Sequence, residues 1–404
     1  RLIAALTGLP GVVLLLLSGL LIGRSGLGLV EPLDLGQGLE TIVGLLVSLV
    51  LFDGGLNLRL PGETIKATVL RISLIRLVIS LFAGLIAAHW LAGLGWSLAA
   101  VYSAIVLATG PTVVTPLVQQ IRLASPLADV LEAEGLVLEP IGAVLALLLL
   151  ELLLGDLHGW KELILGLLAR LGGGVGIGLI AGWLLSEGLR RVNNATYAYI
   201  GIGLQITLGV LFLLYGFCEW VLPESGLPAS VAAGFVVGKR SSTQANQLDQ
   251  LIRELAQLAI TMLFPLLAAD VSWRELSPLG WGGITCVLVL MLLVRPFAVS
   301  VATIGLPLDL RQKVFLGWLA PRGIVTAAVA SLFSIRLEQA GVLGAGRLQG
   351  LVFLTILMTV GIQGLTAQPL AKALGLIVND QEIDNDSKSE EGSTKPISVF
   401  PGPS

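Results

Sequence analysis

Charged residues are scarce in this chain of 404 residues: Asp, Glu, Lys and Arg make up 13% of it, about half the share found in soluble domains. Hydrophobic residues make up 55%. Such a composition excludes a cytosolic enzyme, a nucleic-acid-binding protein and a disulfide-rich secreted module, and it indicates a membrane protein. The net charge of −3 carries no information about partners.

Cysteine and histidine are scarcer still, with two residues of each. Cys218 and Cys286 lie in apolar runs without metal-ligand spacing, which is typical of small buried side chains. His89 and His158 lie at the ends of apolar stretches, as interfacial residues do. No pair of nucleophile and base and no set of metal ligands occurs at membrane depth, so we expect neither an intramembrane enzyme nor a bound cofactor.

Twelve apolar stretches are predicted to cross the membrane as helices, because a helix satisfies its own backbone groups within hydrocarbon and these runs do not alternate like barrel strands. Their approximate ranges are 9–23, 41–58, 74–93, 98–120, 130–154, 162–187, 198–219, 225–239, 252–271, 281–303, 312–335 and 349–370. We expect a transmembrane domain over residues 1–375 and a disordered cytosolic tail over residues 376–404, where acids, serine and proline replace apolar residues.

Basic residues in the loops predict how the chain is oriented. Eleven Lys and Arg residues fall in loops on one side of the predicted spans and five on the other side. Because cytoplasmic loops carry the excess of Lys and Arg, we expect residue 1 and the C-terminal tail in the cytoplasm.

Three pairs of short segments indicate an internal repeat. The pairs are LSGLLIG (17–23) with AAGFVVG (232–238), LFDGGLNL (51–58) with LFPLLAAD (263–270), and ATGPTVV (108–114) with APRGIV (320–325). The first residues of the first two pairs are 215 and 212 residues apart, and the prolines of the third pair, Pro111 and Pro321, are 210 apart, which predicts two units of five spans. Since seven spans separate corresponding helices, the units face opposite ways, as in many secondary transporters.

Spans 4 and 11 hold corresponding positions in these units, and each carries helix-breaking residues. These residues are Gly110, Pro111 and Pro116 in span 4, and Pro321 and Gly323 in span 11. We expect both helices to break near their middle, where freed carbonyls and half-helix dipoles can face an ion. The alternative is a pair of proline kinks whose backbone groups are satisfied by neighbouring helices.

Span 5 carries two carboxylates that are expected to play different parts, because five residues correspond to about 140° around a helix. Glu139 lies near the middle of the span, beside broken span 4, and is expected to exchange a proton for a metal cation. A carboxyl buried for packing is the alternative. Glu134 is expected to form an ion pair with Arg322, which would otherwise be an unpaired buried charge. Arg170 and Arg295 are expected to pair with carboxylates or carbonyls.

The motifs taken together resemble those of the monovalent cation:proton antiporter family, the sodium/proton exchangers of the CPA1 type, over about residues 9–375. They are LPGVVLLLLSGLLIG, LFDGGLNL, the ATGP break in span 4, EGLVLEP in span 5, ESGLPASVAAGFVVG, VRPFAV and LGWLAPRGIVTAAVA. The resemblance implies an inverted repeat with two broken, crossing helices, divided between a core and a dimerisation domain. It also implies thirteen helices, so that one further helix is expected before residue 1.

The resemblance implies that Thr109, Gly110 and Pro111 of the first broken helix form the cation- and proton-binding site together with Glu139. The family's threonine corresponds to Thr109 and its proline to Pro111, whereas the aspartate usually found between them is Gly110 here.

In span 5 the resemblance makes Glu139 the counterpart of the family's ion-binding aspartate, while the preceding asparagine is Leu138. The family's buried arginine corresponds to Arg322 and its glutamate partner to Glu134. These departures leave fewer oxygen ligands than the family has, which puts sodium selectivity in question and leaves potassium open.

The resemblance implies an electroneutral antiporter of the cell membrane, a homodimer that exchanges Na⁺ for protons by alternating access. A single titratable carboxylate, Glu139, suits one-for-one exchange, because it holds either a proton or one monovalent cation. A K⁺/H⁺ antiporter is the alternative within the family. A gated cation channel is the alternative from another class, and it differs in carrying a current.

Overall fold

The computed structural model describes residues 11–32, 37–58, 63–193, 199–240, 246–306 and 308–377. Within these ranges the regular structure is helical, apart from one isolated antiparallel bridge between Leu123 and Ile377. The helices are α1 (Gly11–Ile22), α2 (Gln37–Asn57), α3 (Glu63–Trp90), α4 (Trp96–Ile105), α5 (Pro111–Ile121), α6 (Leu127–Leu154), α7 (Trp160–Asn193), α8 (Tyr199–Val221), α9 (Gly226–Arg240), α10 (Asn246–Ala269), α11 (Trp273–Ala302), α12 (Leu310–Trp318), α13 (Ile324–Gln339) and α14 (Ala345–Leu374).

Each predicted span coincides with one helix or, at the two breaks, with two. Among the residues above, seven helices are long and apolar enough to cross a membrane unaided, and the chain is a multi-pass membrane protein. The predicted tail lies outside the described residues from 378 onward. For its first two residues, Leu376 and Ile377, the prediction of disorder is wrong, because they pair with the loop before α6, where the amide of Ala124 donates to the Leu376 carbonyl at 3.0 Å.

Both predicted breaks are present. Span 4 is divided between α4 and α5, and span 11 between α12 and α13. Pro111 is the first residue of α5, a position where the missing N–H has no helical partner to lose. The expectation that Pro116 helps to break span 4 is wrong, because Pro116 lies within continuous helix α5. A proline there removes one hydrogen bond, which a packed membrane helix tolerates.

The helices pack as two bundles. The scaffold bundle comprises α1, α2 and α7–α10, whose main contacts are with one another, and the core bundle comprises α3–α6 and α11–α14. The two repeats run through both bundles in the same order: two scaffold helices, a core helix, a broken helix and a second core helix. Helices α7 and α8 connect the repeats, which gives the inverted five-helix repeat that the sequence predicts.

Glycines set the close spacing of the scaffold helices. A β-carbon on Gly178 of α7 would lie 2.2 Å from the carbonyl oxygen of Ala229 in α9, and one on Gly234 of α9 would lie 2.1 Å from that of Phe52 in α2. Only glycine allows these backbones to approach so closely. Cys218 and Cys286 are buried free thiols, as predicted.

Candidate functional site

The two breaks cross at Gly110 and Gly323. The amide of Gly110 donates to the carbonyl of Pro321 at 3.1 Å, and a β-carbon on Gly110 would lie 2.1 Å from the α-carbon of Gly323. Both residues have extended backbone conformations with negative φ. The contact therefore requires glycine because of the close approach of the two chains.

Arginines bind the carbonyls that the breaks leave free. At the end of α4, Arg76 Nη2 donates to the Leu107 carbonyl at 3.0 Å, and Arg322 Nη1 donates to the carbonyls of Leu107 and Ala108 at 3.2 and 2.8 Å. At the end of α12, Arg295 donates to the carbonyls of Leu316 and Leu319 at 3.0 and 3.3 Å. A positive charge at a helix C-terminus is stabilising, so the arginines complement the dipoles of both first half-helices, α4 and α12.

The amides freed in the second break are bound by α14. The Ala320 amide donates to Gln363 Oε1 at 3.0 Å, and the Arg322 amide donates to Thr359 Oγ1 at 3.2 Å. Both acceptors belong to a single π-helical turn, Thr359–Gln363. Widened turns of this kind are common at functional sites, and this one places two side chains against one break.

Glu134 does not pair with Arg322, so the predicted ion pair is wrong. The fully buried Glu134 carboxylate accepts from Arg76 Nη1 at 2.7 Å and from Arg295 Nη1 and Nη2 at 2.6 and 2.9 Å. Glu134 faces α3 and α11, whereas the guanidinium of Arg322 is directed to the carbonyls of the first break. The expectation that Arg295 pairs with a carboxylate is confirmed, as it is for Arg170, which pairs with Glu151 at 2.8 Å.

Arg76 is a site residue that the sequence reasoning missed. The predicted third span starts at residue 74, which placed Arg76 at a membrane boundary, but α3 begins eleven residues earlier at Glu63. Arg76 therefore lies well inside the helix, and its side chain is 1% exposed. A longer predicted helix would have revealed a third buried arginine.

Glu139 lies at the crossing, as predicted from its position beside span 4. Its side chain is fully buried, and within the part of the chain that the structure describes neither carboxylate oxygen has a hydrogen-bond partner. A β-carbon on Gly323 would lie 3.0 Å from Glu139 Oε1 and 2.9 Å from Thr112 Oγ1. The carboxylate therefore faces the N-terminal ends of α5 and α13, whose dipoles favour negative charge and anion binding.

Three threonine hydroxyl groups lie on the broken helices close to the crossing. Thr109 Oγ1, on the first break, and Thr326 Oγ1, in the first turn of α13, are buried without hydrogen-bond partners among the described residues. The third hydroxyl, Thr112 Oγ1, accepts from the Ile324 amide at 3.4 Å. Thr109 was predicted as a site residue, whereas Thr326 was not. Unpaired hydroxyl and carboxylate oxygens are suitable ligands for a hard cation.

Pro111 lines a polar cavity of about 70 Å³ between the scaffold helices α2 and α10 and the core helices α5 and α6. Asp53, Asn57, Glu132 and Arg253 line its walls. Asn57 Nδ2 donates to Asp53 Oδ1 at 2.8 Å, and Arg253 donates to Asn57 Oδ1. The cavity lies at the end of the bundles that is predicted to face the cytoplasm. In the sequence, Asp53 and Glu132 lie near the ends of predicted spans, and no site was predicted around them.

Comparison with known proteins gives a consistent result. The profile of the family described as sodium/hydrogen exchanger, transmembrane, matches residues 1–373. The chain is 26% identical over 395 residues to the Na(+)/H(+) antiporter NhaH of Halobacillus dabanensis, covering 93% of this chain and 94% of that protein. It is 25% identical over 382 residues to the K(+)/H(+) antiporter NhaP of Alkalimonas amylolytica, covering 93% of this chain and 64% of that protein.

The fold is also found among solved structures. The sodium proton antiporter MjNhaP1 from Methanocaldococcus jannaschii, at pH 8, superposes with a TM-score of 0.79 at 24% identity. The superposition covers 92% of this chain and 94% of that chain.

Proposed function

Because the chain belongs to the sodium/hydrogen exchanger family, whose profile spans residues 1–373, we propose that it exchanges a monovalent cation for protons across a membrane. The observation that carries this proposal is Glu139, a fully buried carboxylate without a hydrogen-bond partner among the described residues, set against the ends of two broken helices. A buried carboxylate that protein groups do not neutralise requires a proton or a cation from outside the chain.

Exchange follows from competition at this carboxylate. With a proton bound, Glu139 is neutral and its surroundings need no further charge. With the proton lost, a cation takes its place, bound by the carboxylate and by hydroxyls such as those of Thr109 and Thr112. One proton or one monovalent cation leaves the site with the same charge, so the exchange is electroneutral.

Sodium is the cation that we propose first. The family description and the relative from Halobacillus dabanensis name sodium. Potassium is the second candidate, because the relative from Alkalimonas amylolytica is named a K(+)/H(+) antiporter. Gly110 also favours a less restrictive site, since a glycine supplies no side-chain oxygen where the family usually has an aspartate.

The bundles suggest how the site reaches both sides of the membrane. We propose that the core bundle, which carries Glu139, moves against the scaffold bundle within a homodimer of the cell membrane, with the C-terminus in the cytoplasm. The scaffold helix α7 offers a face for a second copy, because Leu165, Leu168 and Leu179 lie on one side of it and are all exposed. The cavity at Pro111 lies on the bundle boundary and supports access from the cytoplasmic end.

Reconstitution into liposomes with an acidic interior tests this function. Addition of Na⁺ or K⁺ outside should collapse the pH gradient, and a valinomycin clamp of the membrane potential should leave the rate unchanged. The effective ion identifies the substrate. If no cation collapses the gradient, the proposal fails. If one does so only together with a current that depends on the potential, the chain is a cation channel instead.

A further inference from the structure

Asp270 is a buried carboxylate for which ion exchange at Glu139 gives no role. It follows the last residue of α10, in the scaffold bundle, and is 1% exposed. Its Oδ2 atom accepts from Ser331 Oγ of α13 at 2.7 Å and from Gln349 Nε2 of α14 at 3.0 Å. Ser331 and Gln349 are also buried, and both belong to the core bundle. One carboxylate therefore joins the scaffold to two core helices.

The scaffold holds Asp270 in place from the other side. The segment after α1 packs on the end of α10: the Arg24 amide donates to the Ala269 carbonyl at 3.0 Å, and Ser25 Oγ donates to the Val271 carbonyl. Arg24 Nη1 lies 3.8 Å from Asp270 Oδ1. These contacts lie within the scaffold bundle, so they fix Asp270 relative to the scaffold and not to the core.

The packing of α13 against the scaffold is interrupted beside this contact. Beside Ser331, helix α13 borders a cavity of about 580 Å³ whose other walls are α2, α8 and α9, including Val43, Val47 and Leu227. Where packing is interrupted by a cavity, the attachment depends on the polar bonds. The cavity and Asp270 lie at the end of the bundles that is predicted to face outward, opposite the cavity at Pro111.

We propose that Asp270, Ser331 and Gln349 form an interdomain clasp that holds the core bundle in the position seen here and opens in each transport cycle. This inference rests on the proposed function, because it requires the core to move against the scaffold. Both hydrogen bonds to Asp270 cross the boundary between the bundles, so a shift of the core breaks them. Two hydrogen bonds to a carboxylate favour the clasped conformation by about tenfold or more over a conformation without them.

Disulfide cross-linking tests whether the clasp opens. In a chain with Cys218 and Cys286 replaced by alanine, Asp270→Cys is combined with Gln349→Cys, which links scaffold to core. The matched control combines Asp270→Cys with Arg24→Cys, which links two segments of the scaffold. After reconstitution, oxidation of the first pair should lower cation-driven proton exchange at least tenfold, and dithiothreitol should restore it. Oxidation of the control pair should leave exchange within twofold.

Each result has a distinct meaning. If the cross-linked Asp270–Gln349 pair exchanges at the rate measured before oxidation, the clasp is overturned. If the unmodified protein shows no exchange, the proposed function fails and not the clasp alone.

A distance measurement tests the clasp even in variants that have lost transport activity. Spin labels at Phe82 of α3 and Trp183 of α7, both exposed, report the position of the core relative to the scaffold. Asp270→Ala and the milder Gln349→Leu should lower the population at the clasped distance relative to the population at the shifted distance. For Asp270→Ala this population ratio should fall about tenfold. Gln339→Leu, at the end of α13, is the control and should leave it unchanged. Equal distance distributions in all four proteins contradict the proposal.

Discussion

Two glutamates on one helix, five residues apart, have opposite surroundings. Glu134 is bound by two guanidinium groups, whereas neither oxygen of Glu139 has a hydrogen-bond partner among the described residues. The arginines that bind Glu134 also bind carbonyls at the ends of α4 and α12, so one carboxylate is permanently neutralised and ties both breaks together. The other carboxylate remains available to a proton or a cation.

Replacing Glu134 by alanine is expected to destabilise the protein by about 3 to 5 kcal/mol, because two buried guanidinium groups lose their carboxylate. Thermal unfolding in detergent, followed by fluorescence of the buried cysteines with a thiol dye, measures the loss. The control is Glu151→Ala, which removes the partner of Arg170, a pair with 13% and 21% exposed side chains. A midpoint for Glu134→Ala at or above that of Glu151→Ala contradicts the structural role.

The sequence predicted where the charged residues lie along the helices better than it predicted which of them form ion pairs. Glu139 was placed correctly beside the first break, because its depth and its neighbours along the chain are visible in the sequence. The partner of Glu134 was not, because Arg76, Arg295 and Arg322 are all buried in the same region. Which guanidinium meets which carboxylate depends on the rotation of four helices about their axes, and the spacing of apolar residues does not fix that rotation within uniformly apolar spans.

Among the elements, the two broken helices determine the site. Their first halves end on arginines, and their second halves begin beside Glu139, so the crossing separates positive from negative charge along both axes. Glycine at 110 and 323 permits the crossing. The side chain that the family usually has at the first of these positions has no room here, since its β-carbon would meet the α-carbon of Gly323 at 2.1 Å.

Gly110→Ala is therefore expected to force the broken helices apart, with a loss of at least 1 to 3 kcal/mol, roughly the penalty for overpacking a core. Expression yield, thermal midpoint and cation-driven proton exchange should all fall. Gly209→Ala and Gly216→Ala in α8 serve as controls, because a β-carbon at either position has no neighbour within 4 Å. Wild-type stability and exchange in Gly110→Ala are incompatible with the close crossing described above.

Proline and glycine in apolar spans predicted where the elements break, and both breaks are found within a few residues of the expected positions. Pro116 shows the limit of this signal, since the same residue type lies within continuous helix five residues later. The π-helical turns at Leu290–Val294 and Thr359–Gln363 were not predicted. Hydropathy does not distinguish one widened helical turn from a continuous α-helix, so the sequence gives no signal for them.

The whole molecule consists of two repeats that share two bundles. The order of helices was predictable, because the lengths of the apolar runs and the three matched motifs together indicate it. How the bundles meet was not, and this boundary contains the cavity at Pro111 on one side and the contacts of Asp270 on the other. These contacts hold the core bundle in its present position, and the movement that we propose has to break them.

The central claim is that one carboxylate, Glu139, holds either the proton or the cation. Purified protein in weakly buffered detergent near neutral pH tests it directly, because cation binding at a protonated site must release the proton. Addition of Na⁺ or K⁺, but not of choline at equal ionic strength, should release up to about one proton per chain, with less binding at each lower pH.

The decisive comparison is between two conservative variants on the same helix. Glu139→Gln should release no protons on addition of either cation, whereas Glu132→Gln, in the cavity at Pro111, should still release them. Proton release from Glu139→Gln equal to that of the unmodified protein would contradict the account, because the exchanged proton would then belong to another group.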